Sequence, residues 1–282
     1  MTEVKRIKYF RMAAFLVAAV LGAVVIAGVH ASIASAGAVK GASNGSQPAD
    51  NQFIYTVQAD VPGVVAQVQT WASVDGSRAG AVRWTKCSME GRTIPQCLIR
   101  IPGGKGPDSL NDRTYAGVRK LPSDPAVLAA YLERHNSCNA GPSLPRLSAD
   151  GAAFSEIVMI TDAVQVLPPR YGAILFQAAA KIPGTKVLAH LKDAAGGSGT
   201  AVSMVESVSR IGRPGRNWGL IELIFAPGTY RYIGVQLFNG PSEHGPWTLI
   251  NATSLRSYKF VNTAPTNYTN GASMGVTVCV SP

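Results

Sequence analysis

From residue 52 the apolar residues of the chain recur at every second position. The stretches "FIYTVQA" and "VVAQVQTWASV" place Val64, Ala66, Val68, Thr70 and Ala72 on one face and Val65, Gln67, Gln69, Trp71 and Ser73 on the other. That alternation predicts half-buried β-strands. Asp75-Gly76 follows, then "AGAVRWTKC" and "CLIRI". Asp-Gly between alternating runs signals a hairpin, because both residues tolerate positive φ. The sequence neighbours of Asp75 are Ser73, Ser77 and Arg78. With no partner acid, base or metal ligand beside it, this carboxylate is read as a turn former and not as a catalytic group.

The period then lengthens. "LPSDPAVLAAYLERH" offers Asp124 as an N-cap, Pro125 at the first helical position, and a stripe of Val127, Leu128, Tyr131 and Leu132. "DGAAFSEIVMITDAVQVL" keeps the helical period through Phe154, Ile157, Val158 and Val164. "PPRYGAILFQAAAKIPG" predicts a third helix between Pro168-Pro169 and Pro183-Gly184, with Tyr171, Ile174, Leu175, Ala178 and Ile182 opposite Arg170, Gln177 and Lys181. Alternation then returns in "TKVLAHLKD", "TAVSMVESVSR", "WGLIELIFA", "YRYIGVQLF", "SLRSYKFVNT" and "GVTVCVSP". Strands, then helices, then strands predict an α+β fold with one antiparallel sheet wrapped around two or three helices.

The first residues follow neither period. Residues 1–11 carry Lys5, Arg6, Lys8 and Arg11, and residues 12–29 form an uncharged apolar run that would span roughly 27 Å as a helix. This predicts a cytoplasmic tail (1–11) and a transmembrane anchor or signal segment (12–34), with the remainder exported because the basic flank stays inside. Ala34-Ser35-Ala36 offers small residues for cleavage, so a secreted form released near Ala36 stands as the alternative to a cell-membrane protein. Residues 35–51, small, polar and Gly-rich, read as a flexible linker, and residues 52–282 as one extracytoplasmic domain.

Composition supports a packed domain. Of 282 residues 46% are hydrophobic and 15% charged. The net charge is +10, and the basic tail accounts for only three of it, leaving an exported excess of seven positive charges. Such a surface favours anionic partners by long-range attraction. No recognition motif supports nucleic acid. Four cysteines, Cys87, Cys97, Cys138 and Cys279, all follow the apolar run, and an even count in an oxidising compartment predicts two disulfides. Cys87 and Cys97 flank "SMEGRTIPQ", so a bridge across a hairpin loop is the first expectation, with Cys138 to Cys279 by elimination.

The chemistry-bearing residues do not assemble into a motif. "GASNG" (41–45) and "GASMG" (271–275) have the form of a nucleophile elbow but lack its strand-to-helix setting. "PGGKGP" lacks phosphate-loop spacing. His30, His135, His190 and His244 are dispersed, and Glu206, Glu222 and Asp193 have no partner at a recognisable spacing. No catalytic residue, metal or cofactor is expected, and no ligand-binding residue is singled out.

The blocks "WASVDGSRAG", "LPSDPAVLAAYL", "PPRYGAILFQAAAKIPGTKV", "KDAAGGSGTAV" and "ELIFAPGTYRYIG" resemble, in order and spacing, an uncharacterised actinobacterial family of membrane-anchored exported proteins, often encoded near extracytoplasmic-function sigma factors. That family is similar to lipoprotein-carrier-like half-barrels, in which a curved antiparallel sheet closes over helices around an apolar groove. The resemblance implies a half-barrel-like sheet and no catalytic residues. The short tail and the four cysteines depart from the family pattern. The expected function is a non-enzymatic, membrane-anchored binding protein for an apolar or amphipathic ligand, such as a lipid, or for an envelope protein partner, with a link to envelope signalling. The alternatives are a structural envelope module without a ligand cavity and an exported hydrolase.

Overall fold

A computed structural model describes residues 47–61, 66–85, 87–89, 92–94, 96–101, 103, 113–135, 147–209 and 216–269. The tail and anchor segments, most of the linker, His30, both "GAS" motifs, Cys138 and Cys279 lie outside the described residues.

Among the described residues six strands open the fold: β1 (Phe53–Val61), β2 (Ala66–Ser73), β3 (Gly80–Trp84), β4 (Cys87–Met89), β5 (Arg92–Ile94) and β6 (Cys97–Ile101). Four helices follow: α1 (Tyr115–Val118), α2 (Pro125–Arg134), α3 (Ala149–Val164) and α4 (Tyr171–Lys181). Five strands close it: β7 (Thr185–Lys192), β8 (Ser198–Ser209), β9 (Arg216–Phe225), β10 (Tyr232–Gly240) and β11 (Thr248–Val261). Nine strands form one antiparallel sheet in the order β6-β3-β2-β1-β11-β10-β9-β8-β7, while β4 and β5 pair separately. The last described strand, β11, therefore lies beside the first at the middle of the sheet, and the helices carry the chain from one edge strand, β6, to the other, β7. The α+β class agrees with the sequence pattern; the sheet is not closed into a barrel.

Local chemistry sets the helix starts. Asp124 caps α2 by accepting from the backbone N–H groups of Ala126 (2.8 Å) and Val127 (2.9 Å), with Pro125 at the first helical position. The Ser148 hydroxyl caps α3 by accepting from Gly151 N–H at 2.9 Å. The buried stripe of α2 is Leu128, Ala129 and Leu132, so Ala129 takes the place expected for Val127, which is 53% exposed. α3 is buried over most of its circumference, through Phe154, Ile157, Val158, Ile160 and Val164. Those side chains meet Val202, Met204, Leu223, Phe225, Tyr232 and Leu237 from the sheet in one hydrophobic core.

Two expectations are not met among the described residues. No helix among the described residues is long and apolar enough to cross a membrane. The longest, α3, has 16 residues, about 24 Å at the α-helical rise, and carries Asp150, Glu156 and Asp162. The expected transmembrane helix is thus not seen among the described residues. Nor is a bridge with both cysteine side chains described present among them. In the strand pairing Cys87 lies opposite Ile94 and Cys97 opposite Trp84. Cys97 is buried and is not a free thiol.

The helix-free face of the sheet is covered at one place by its own edge. β7 carries a bulge between Leu188 and Leu191, where His190 has φ +58°. Past it, the Gln236 amide donates to the Lys192 carbonyl at 2.7 Å and the Ser254 hydroxyl donates to Asp193 Oδ2 at 2.8 Å. The β7–β8 hairpin tip thereby reaches over β10 to β11. Beneath it a second small core gathers Ala201, Ile224 and Ile233 with Leu188 and Leu191. Gly199 allows this approach: a Cβ there would lie 2.5 Å from Ile224 Cγ2 and 2.9 Å from Ile233 Cδ1. Gly199→Ala is expected to cost about 1–3 kcal/mol by overpacking, read as a lower urea midpoint.

Candidate functional site

The antiparallel register decides which side chains share the helix-free face. Lys259 of β11 lies opposite Tyr55 of β1, Tyr55 opposite Trp71 of β2, Trp71 opposite Ala81 of β3, and Ala81 opposite Arg100 of β6. Directly opposed residues point to the same side of a sheet. The five positions therefore form one row running across the strands. In the next row Gln69 lies opposite Arg83.

Side-chain geometry ties the rows together. The Tyr55 and Trp71 rings are 4.8 Å apart and tilted by 51°. The Arg83 guanidinium lies 5.3 Å over the Trp71 ring and donates to Gln69 Oε1 at 3.4 Å. Lys259 Nζ lies 5.2 Å over the Tyr55 ring. These residues, with Val261 and Thr263, line a shallow open groove of about 470 Å³. Cation–π contacts at such exposed positions contribute about 0.5–1 kcal/mol each. That is enough to orient a side chain and too little to neutralise its charge.

Electrostatically this part of the face is one-sided. The positions of β6, β3, β2 and β1 that share it include no Asp or Glu, and neither does the stretch of β11 from Ser257 onward. Arg83, Arg100 and Lys259 make no ion pair among the described residues. Burial pushes the Tyr55 hydroxyl above its ordinary pKa, and the positive charge of Arg83 pulls it partly back. Nearby, the Arg78 guanidinium stacks at 4.1 Å over Phe53 and its Nη2 donates to the Asn51 carbonyl. The contact fastens the chain entering β1, so the end of the predicted linker is held by a turn and a hydrogen bond.

The residues weighed for catalysis lie apart. Asp75 Oδ1 accepts from the Ser73 hydroxyl (2.8 Å), the Ser77 N–H (2.9 Å) and the Ser77 hydroxyl (2.8 Å), while Gly76 adopts φ +73°. It closes the β2–β3 turn, as its sequence predicts. Burial raises the Asp75 pKa, but hydrogen bonds from Ser77 and Ser73 outweigh it and the net shift is downward. The native state therefore favours the ionised form; that stabilisation is complete above the ordinary carboxylate value and fades as pH falls through the lowered native one. Asp75→Ala is expected to lower stability by less than about 1 kcal/mol at neutral pH, given its exposure. The gap to the wild type should close in acid, as followed by urea titration at several pH values.

His135 Nδ1 lies 2.8 Å from the Tyr131 carbonyl and its ring stacks on Tyr131. His190 occupies the β7 bulge, and His244 pairs with Glu243 at 3.2 Å on the surface. Glu206 accepts from Ser148 at 2.6 Å, and Asp193 accepts from Ala195, Gly197 and Ser254. Glu222 faces Ser203 and Gln236, and burial raises its pKa. No group of three metal-ligating side chains occurs among the described residues. Each of these described acids and histidines has a local structural place, and they do not converge on one cleft.

Compared with family models, with curated proteins and with solved structures, the chain has no match in any of the three. The site is therefore argued from its geometry. The sequence pattern had placed Trp71 with Gln67 and Gln69 on one face. It did not bring Tyr55, Arg83 and Lys259 to them, because that requires the β1–β11 and β2–β3 registers.

Proposed function

We propose that the chain is a non-enzymatic binding domain whose helix-free sheet face takes an amphipathic ligand bearing an anionic group. The observation that carries this reading is the pair of cations, Arg83 and Lys259, which make no ion pair among the described residues and are held over adjoining aromatic rings at an open groove. Apolar surface and positive charge within one groove match a ligand that combines both. A purely apolar ligand between sheet and helices, as in a lipoprotein-carrier-like half-barrel, has less support. That space holds the wholly buried side chains of Phe154, Phe225, Tyr232, Leu128 and Ile157. The reach of the β7–β8 hairpin tip over β11 is the feature that supports a half-barrel-like curl of the sheet. The filled core also fits a second reading, an interaction module without a ligand cavity.

The test is a titration with dodecanoate, below its micelle concentration, against neutral dodecyl maltoside, read by tryptophan fluorescence. Dodecanoate is expected to bind more tightly and to lose affinity as salt screens the cations. Arg83→Ala and Lys259→Ala should each weaken it about fivefold. Equal binding of the two amphiphiles, unchanged in the variants, would count against the reading.

A further inference from the structure

The two edges of the sheet are not alike. Along β6 the Thr269 N–H donates to the Leu98 carbonyl at 2.9 Å and the Leu98 N–H donates to the Thr269 hydroxyl at 2.9 Å, so this edge is partly covered by the chain itself. At the other edge β7 pairs with β8 and, among the described residues, with no second strand. Lys186, Val187, Ala189, His190 and Lys192 of β7 are all exposed, and Val187 keeps 53% of its surface in solvent. An uncovered edge strand turns a row of backbone N–H and C=O groups outward and is a template for one more strand. The bulge between Leu188 and Leu191 confines the regular part of this template to residues 185–188.

We propose that the β7 edge takes an extended acidic segment of a partner protein, added to the sheet as a further strand in which acids alternate with apolar residues. No residue of β7 lines the groove at Trp71, so the assignment does not depend on the ligand proposed there. Charge selects the partner. β7 carries Lys186, His190 and Lys192 and no Asp or Glu. The next acid along the chain, Asp193, is turned inward and accepts from Ala195, Gly197 and Ser254. Across the strands from Lys186 the first carboxylate is that of Glu222, two strands away and buried. A second copy of β7 would bring two sets of basic side chains together, which destabilises a strand pair, whereas opposite charges across the pair stabilise it. The side chains that keep copies of this chain apart therefore favour an acidic strand. Register sets the alternation. Lys186 lies opposite Ser203 and Leu188 opposite Ala201 of the small core on the helix-free face, while Val187 lies opposite Val202 of the main core. Opposed residues share a side of the sheet, so the added strand would set an acid beside Lys186 and an apolar residue beside Val187.

The experiment titrates the full chain with a capped hexapeptide of alternating Glu and Val, with its counterpart carrying Lys for Glu, and with the Glu-Val peptide N-methylated at every residue. Backbone amides are followed by nitrogen–proton NMR and hydrogen exchange. The Glu-Val peptide is expected to shift the amides of residues 185–188 and to slow exchange of the outward-facing ones about tenfold or more. The Lys-Val peptide should bind about fivefold or more weakly. N-methylation keeps the charges and removes the N–H donors, so it should abolish the protection. Lys186→Glu, an exposed change, should weaken the Glu-Val peptide about fivefold and strengthen the Lys-Val peptide, while Arg83→Ala should bind both as the wild type does. An N-methylated peptide that binds as tightly as its parent would overturn strand addition in favour of general charge attraction. Shifts confined to the groove at Trp71, a Lys186→Glu variant equal to the wild type, or no binding of the Glu-Val peptide would each overturn the proposal. A chain that sediments as a dimer with residues 185–188 already protected would overturn it in favour of a second copy.

Discussion

Replacing Glu156 by alanine is expected to remove about 3–5 kcal/mol of stability. Glu156 lies on α3 with its side chain 6% exposed, and the Arg113 side chain that meets it is 11% exposed. Nε and Nη2 of Arg113 donate to Oε1 at 3.1 Å, and Nη2 also reaches Oε2 at 3.1 Å. In the alanine variant the buried guanidinium loses this carboxylate and with it the attraction that offsets part of its desolvation. The companion variant separates a charge effect from a packing effect. Arg113→Met combined with Glu156→Leu removes both charges at similar volume and is expected to fall within about 2 kcal/mol of the wild type, on either side. Urea unfolding followed by far-UV circular dichroism measures both. A single variant no worse than the double would show that the pair is not what fastens the chain before α1 to α3.

Phe225→Ala is the second large effect, expected at about 3–5 kcal/mol. Phe225 is wholly buried on β9, edge-on to Phe176 of α4 with ring centroids 5.5 Å apart and to Tyr232 of β10 at 6.5 Å. It lies where sheet and helices meet, so its removal opens a cavity whose walls belong to both layers and can collapse only partly. Phe225→Leu keeps most of the apolar volume and should cost clearly less. Tyr232 adds an anchor of a different kind: its hydroxyl donates to Asp162 of α3 at 3.2 Å. Burial and the nearby Asp162 charge both push the Tyr232 pKa well up, which favours the neutral, hydrogen-donating form of the hydroxyl.

How much of this was legible in the sequence depended on distance along the chain. Asp124 and Pro125 announce α2 because a cap and a fixed φ act within three residues. Asp75-Gly76 announces its turn for the same reason. Gly184, with φ +82°, ends the α4 region where Pro183-Gly184 predicts the stop. α1 was missed because its four residues are too few for a helical period, leaving only the Thr114 cap, which accepts from Gly117 N–H. Val127 was placed in the core because an apolar residue in a first turn fits the stripe equally well there or just outside it. The candidate site was the least legible. Its row joins Tyr55 to Lys259 through a pairing of the first and last strands that no local pattern encodes.

The central claim is that ligand meets the helix-free face at Trp71 and not the helical layer or another part of the sheet. The chain has four tryptophans, Trp71, Trp84, Trp218 and Trp247, so the indole N–H region of a nitrogen–proton NMR spectrum holds one reporter at the groove and three elsewhere. On titration with dodecanoate the account predicts that the Trp71 indole resonance moves progressively to saturation while the others stay within a small fraction of that shift. A titration in which Trp218 or Trp247 moves and Trp71 does not would contradict it.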